Sequence, residues 1–266
     1  MAVAAPERLI DYSVADGIAV IQLQNPPANT YSYEMMLQLD QAILQARMDD
    51  RVQVVVVRGE GEKFFSAGAD IAMLARVTPE FKYYFCLHAN ETLNRLEQTP
   101  KLVIAALNGH TVGGGLEIAL ACDIRIARRD AGRIGLPEVA LGVLPGTGGT
   151  QRLARTIAKG RAMEMLVEGK NLTFEEAAEL GLVNYIFDHD SFWDDVMAYA
   201  GRFLSPNKAS MAVGRIKRSV QSGLNMSFTD SLALERELQQ QLFQTLDAKE
   251  GLSSYVDKRV PSFVGR

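Results

Sequence analysis

The run Val52-Gln53-Val54-Val55-Val56-Val57 is apolar on nearly every residue, so a strand built from it has two faces to cover rather than one. Helical apolar spacing precedes it, from Tyr33 to Asp49. Before that, Ile18-Ala19-Val20-Ile21-Gln22-Leu23 reads as a strand ended by Asn25-Pro26-Pro27. A helical pattern follows from about Pro79 to Gln98, stopped by Thr99-Pro100, and then another apolar strand from Leu102 to Leu107. A glycine-rich helix, a strand from Asp123 to Ala127, a turn at Pro137-Glu138 and helices from about Thr150 to Glu168 continue the alternation. Strands and helices that alternate in this way specify an α/β fold.

With 266 residues, 47% of them hydrophobic, the chain is long enough for one large core with an appendage. From Asn207 to Val256 the patterns are helical with charge on one face, which divides the chain into a core over 1–205 and a helical region over 206–266. A net charge of −4 argues against a generic nucleic-acid binder, which needs a basic surface. The opening residues lack a basic segment followed by an apolar one, and no apolar run reaches the roughly 18 to 20 residues of a membrane span, so a cytoplasmic protein with no membrane partner is expected. Cys86 and Cys122 fall in apolar helical patterns without Cys-x-x-Cys spacing and read as buried thiols. His88, His110 and His189 are scattered, so no metal site is expected. Trp193 reads as helix packing, Asp70 as a helix cap, and Arg215-Ile216-Lys217-Arg218 as a solvated helix face.

Chemistry concentrates at two glutamates. Glu117 closes Gly113-Gly114-Gly115-Leu116-Glu117 and Glu138 closes Gly135-Leu136-Pro137-Glu138. Glycines opening an apolar helix leave backbone N–H groups free to hold a developing negative charge, and a carboxylate beside them can move a proton. Glu117 has apolar neighbours on all sides, which points to burial with a task rather than to a solvated helix position.

Three segments carry a resemblance: Phe65-Ser66-Ala67-Gly68-Ala69-Asp70-Ile71, Asn108-Gly109-His110-Thr111-Val112-Gly113-Gly114-Gly115-Leu116-Glu117, and Leu136-Pro137-Glu138 through Pro145-Gly146-Thr147-Gly148-Gly149-Thr150-Gln151-Arg152-Leu153. In order and spacing the chain resembles the enoyl-CoA hydratases of the crotonase family over nearly its whole length. The resemblance implies a crotonase-like spiral of ββα units with a C-terminal helical trimerisation region. It implies Glu117 and Glu138 as the acid/base pair, the N–H groups of Ala69 and Gly114 as an oxyanion hole for a thioester carbonyl, and Gly146 as a holder of the attacking water. Lys63 and Ala67 match positions near coenzyme A, while Tyr255 and Lys258 match positions that reach coenzyme A in a neighbouring subunit of a homotrimer or hexamer. Asp123 matches a position outside the reaction centre. Where many hydratases carry a lysine this chain has Ala72, and Arg76 one helical turn later is a candidate replacement.

The implied reaction is reversible syn hydration of a 2-enoyl-CoA to a 3-hydroxyacyl-CoA, with no cofactor beyond the coenzyme A of the substrate. Glu117 is assigned to the water and Glu138 to the proton at Cα. Tyr31, Phe81, Tyr84, Phe85 and Leu144 are candidates for the acyl pocket. Alternatives are an enoyl-CoA isomerase, a hydratase or dehydratase specialised for methylglutaconyl, aromatic or dicarboxylic acyl-CoA, and a non-catalytic RNA-binding homologue. The intact acid/base pair and the acidic balance of the chain favour hydration.

Overall fold

A computed structural model describes residues 7–266. The lack of a leader expected from the opening of the chain concerns residues 1–6 in part, and these lie outside the described residues. In chain order the elements are β1 (Ile10–Ala15), β2 (Ile18–Leu23), α1 (Tyr33–Met48), β3 (Val54–Gly59), β4 (Phe64–Ser66), α2 (Ile71–Leu74) and α3 (Pro79–Glu97). Next come β5 (Leu102–Leu107), β6 (His110–Val112), α4 (Gly114–Leu120), β7 (Ile124–Arg128), β8 (Arg133–Gly135) and a 3-10 turn over Glu138–Leu141. They are followed by α5 (Gly149–Thr156), α6 (Lys159–Glu168), β9 (Asn171–Thr173), α7 (Phe174–Glu179), β10 (Tyr185–Phe187) and α8 (Phe192–Gly201). Helices α9 (Ser210–Gly223), α10 (Phe228–Phe243) and α11 (Leu246–Asp257) complete the chain.

The larger sheet has six strands in the order β1-β2-β3-β5-β7-β10. Its first pair is an antiparallel hairpin turned by Asp16 and Gly17, both at positive φ, as an Asp-Gly turn matched to the strand twist requires. Every later pairing in this sheet is parallel. The valine run explains itself here. Val55 and Val57 join Val103 and Ala105 in a core shared with α1, α3 and α4, while Val54 and Val56 join Ile104, Ala106 and Ile126 under Phe192, Val196 and Ala200 of α8.

The smaller sheet, β4-β6-β8-β9, positions the site. Strands β4, β6 and β8 run parallel, so the chain leaves all three at the same edge. Ala67 to Asp70 follow β4, Gly113 and α4 follow β6, and Leu136 to Glu138 follow β8. Side chains and amides far apart in sequence thus converge beyond the carboxyl ends of adjacent parallel strands, where α/β sheets commonly place ligands.

Among the last helices, α9 packs directly on the core. A Cβ on Gly214 would lie 2.2 Å from the Pro100 carbonyl oxygen, which restricts that position to glycine. Lys217 corrects the solvated-face reading of its basic run: it is buried, with Nζ 2.8 Å from Asp123 Oδ2. A single inward residue decides the face, because Asp123, itself receiving the Val103 N–H, needs a cation in an apolar surrounding. Burial pushes the Asp123 carboxyl up, and Lys217 pulls against that shift. Asp123 is therefore structural, as the resemblance implied.

At the far end, Asp247 accepts the N–H groups of Val264 and Gly265, so the tail folds back along α11. Phe228, Phe243, Leu252, Tyr255, Val256 and Val260 remain exposed on this helical region. Among the described residues no helix is long and apolar enough to cross a membrane.

Candidate active site

Helix α4 begins without a side-chain cap, at Gly113 with φ +57. That conformation favours glycine, and it leaves the first helical amide, Gly114 N–H, without an acceptor among the described residues. The Ala69 amide is free for a different reason. Tyr31 bridges this segment in parallel, donating to Gly68 O and accepting from Asp70 N–H, so the intervening amide of Ala69 faces the other way. The two segments touch: Gly68 has φ +86, and a Cβ on it would lie 2.6 Å from Gly114 N. The two segments that carry free N–H groups are thus in contact.

Glu117 is 2% exposed and projects from the first turn of α4. Its Oε1 accepts the Thr147 and Gly149 N–H groups, both at 2.7 Å, and its Oε2 accepts a short bond from the Thr147 hydroxyl. Thr147 Oγ1 in turn lies 3.4 Å from the hydroxyl of buried Tyr31, whose pKa is held well above the ordinary value, by burial first and then by the Glu117 charge. The preceding residue, Gly146, donates its N–H to no described residue, while its carbonyl accepts from Asn90 Nδ2 at 3.3 Å.

Glu138 has the opposite surroundings. It opens the 3-10 turn after Pro137, and its Oε1 stands where a Cβ on Gly113 would be 3.3 Å away. Its Oε2 is buried without a hydrogen-bond partner. Burial pushes its pKa up to about 7, its own backbone N–H opposes this, the Glu117 charge adds to it, and Lys82 draws it back. One carboxylate is thus tied by three donors and the other is left to carry a proton near neutrality.

Both glutamates line one cavity of about 460 Å³, together with Ala67, Ala69, Gly114, Gly146 and Thr147. Its remaining wall is mostly apolar and includes Ile71, Leu74, Leu141, Val143 and Leu144. Of the acyl-pocket candidates, Tyr31 and Leu144 line it. Phe85 is instead a core residue against Tyr31, with ring centroids 5.9 Å apart, and Phe81 and Tyr84 are exposed outside the lining. Lys63, Tyr255 and Lys258 also stand outside it. Tyr255 is 87% exposed, and Lys258 caps α11 at φ +54. Exposed Arg76 donates its Nε to Ala72 O.

Cys86 is half-buried rather than buried, and its Sγ faces the Gly146 loop. Cys122 is buried, as expected, but in the turn after α4. Trp193 packs in α8 beneath the Arg58 guanidinium, 4.4 Å from its centroid. Asp70 caps α2 through Met73 N–H. Among the described residues no group of three His, Cys, Asp or Glu side chains is placed to hold a metal ion. Thr147 and Lys82 are the site residues that sequence reasoning passed over. Thr147 sits inside a glycine loop that draws attention to its glycines, and Lys82 lies in an ordinary amphipathic helix.

Comparisons with known proteins agree on one family. Residues 13–266 match the family model described as Enoyl-CoA hydratase/isomerase. The chain is 36% identical over 258 residues to a probable enoyl-CoA hydratase of Bacillus subtilis (strain 168), covering 96% of this chain and 98% of that protein. It is 36% identical to the short-chain-enoyl-CoA hydratase of Clostridium acetobutylicum, covering 91% and 92%. The crystal structure of an enoyl-CoA hydratase from Geobacillus kaustophilus HTA426 superposes with a TM-score of 0.95 at 45% identity, covering 98% of each chain.

Proposed function

Because the chain belongs to the enoyl-CoA hydratase/isomerase family, we propose that it hydrates a 2-enoyl-CoA reversibly to a 3-hydroxyacyl-CoA, in a cytoplasmic setting. The observation that carries this reading is the pair of unlike carboxyl groups facing one cavity beside two free amides. Hydration needs one group to take a proton from water as it attacks Cβ and another to deliver a proton to Cα. Glu117, with its Oε2 turned to Thr147 and the free N–H of Gly146 nearby, takes the first role. Glu138, with a pKa near 7 and an unpartnered Oε2, takes the second. The Ala69 and Gly114 amides hold the thioester oxygen as enolate charge develops, a contribution on the order of 3 kcal/mol per donor. Delivery of water and proton to the same face of the alkene, syn addition, is the stereochemistry proposed. Only water and protons move, so the reaction as proposed requires no cofactor.

Ala67 lines the cavity, and Lys63, which stands outside it, is assigned to the coenzyme A phosphates. Tyr255 and Lys258 are assigned to the coenzyme A of a neighbouring subunit in a homotrimer or hexamer. The exposed apolar residues of the last helices support an interface there. The test follows loss of the enoyl thioester absorbance with crotonyl-CoA, alongside sedimentation of wild type and Lys258→Ala. Hydration by an oligomer, with KM raised more than kcat falls in Lys258→Ala, is the expected result. A fully active monomer defeats the assembly, and no turnover of any enoyl-CoA defeats the function.

A further inference from the structure

The cavity holds one charge that the proposed reaction leaves unused. Lys82 is the one cation among the described residues that line it, on the first turn of α3 and half-buried. It forms no ion pair with a described carboxylate, and its Nζ stands 5.5 Å from the Phe85 ring centroid, a weak substitute for a counter-ion.

Its place on the helix says which part of a substrate it meets. Lys82, Cys86 and Asn90 are spaced four residues apart and share a face of α3. Cys86 Sγ lies where a Cβ on Gly146 would be 3.0 Å away, and Asn90 Nδ2 donates to the Gly146 carbonyl. This stripe therefore runs along the Gly146 loop, and Lys82 carries it into the cavity lining. If water attacks Cβ beside Gly146, the acyl atoms beyond Cβ run between this stripe and the apolar wall of Leu141, Val143 and Leu144. Apolar walls suit methylenes. A plain alkyl chain, however, would take water from the ammonium and return no partner, which a polar site resists.

We propose that the substrate is a 2-enoyl-CoA whose acyl chain ends in a carboxylate, and that Lys82 binds that carboxylate. This deepens the hydration reading above and rests on it. Lys82 acts as a specificity residue, since the anion it grips is remote from the atoms that react.

The test compares two thioesters of equal chain length, 2-hexenoyl-CoA and 2-hexenedioyl-CoA, by kcat/KM with the full-length protein at low salt. Wild type is expected to favour the carboxylated ester by about tenfold or more, and added salt is expected to shrink that ratio. Lys82→Met is expected to remove most of the preference, Lys82→Glu to invert it, and Lys82→Arg to retain it. A wild type that hydrates hexenoyl-CoA without favouring the carboxylated ester overturns the inference and leaves the hydration reading standing. A Lys82→Met enzyme with an unchanged ratio overturns it too, including the case where both esters suffer alike because the lysine grips coenzyme A. Failure of wild type to hydrate either ester overturns the hydration reading and the inference with it.

Discussion

Glu138→Gln is expected to make the protein more stable and nearly inactive, with both effects set by pH. A carboxyl raised from 4.5 to about 7 on folding contributes nothing unfavourable below 4.5, where it is protonated in both states. As pH rises toward 7 the unfolded chain ionises first, so stability is lost across that window and the full loss persists above it. At roughly 1.36 kcal/mol per pH unit the loss is at most about 3.4 kcal/mol, and partial solvation through the open cavity discounts it to roughly 1–2 kcal/mol. Glutamine has the same shape without the charge, so at pH 8 the variant is expected to gain that amount, a rise in Tm of about 2–4 °C. At pH 5 the gain is expected to be much smaller. Hydration kcat is expected to fall by about two to four decades. Wild-type kcat/KM is expected to decline above about pH 7, with the same limb for hydration and dehydration, because the overall reaction neither releases nor consumes a proton. Thermal melts at pH 5 and pH 8, with kcat/KM profiles in both directions, measure all of this. A flat wild-type profile from pH 6 to 9, or no extra stability of the variant at pH 8, would refute the assignment of the labile proton to Glu138.

Glu117→Gln keeps an oxygen for the Thr147 and Gly149 amides, so it is expected to fold and to bind CoA esters while losing about two to four decades of kcat in steady-state assays. Thr147→Val deletes the hydroxyl bond to Glu117 together with the longer contact to the Tyr31 hydroxyl, and is expected to lower kcat about five- to tenfold, roughly 1–1.5 kcal/mol, with Thr147→Ser restoring most of it. Wild-type activity in Thr147→Val would show that the backbone amides alone orient Glu117. Lys217→Ala leaves Asp123 charged in a dry setting and is expected to cost about 3 kcal/mol by urea denaturation, with Asp123→Asn recovering part of it in the double variant. Additive effects would mean that the pair does not interact.

What was legible in the sequence follows the length of the signal. Val54 to Val57 announce a strand covered on both faces, and Leu102 to Leu107 do the same, because both are long and apolar throughout. The three-residue strands β4, β6, β8 and β9 carry no period of their own, so the second sheet, which gathers the site, was not readable from pattern. The glycines around Glu117 and Glu138 were readable because free amides and close approach require them. Thr147 was not, since its role depends on a carboxylate thirty residues earlier in the chain. Lys217 and Lys82 look like any other lysines on amphipathic helices. Only the packing of α9 on Asp123, and of α3 beside the cavity, separates them from solvent.

The two glutamates differ in what their loss would cost a lineage. Glu117 clips the start of α5 to α4 through Thr147 and Gly149, so the fold has its own use for that carboxylate whether or not any substrate arrives. Glu138 serves no such purpose, and ionised it strains the structure that holds it. A descendant released from catalysis would gain stability by discarding Glu138, while selection for folding alone would retain Glu117. An intact first glutamate is therefore weak testimony that a relative of this chain still works, and the second, uncomfortable one is the witness to consult.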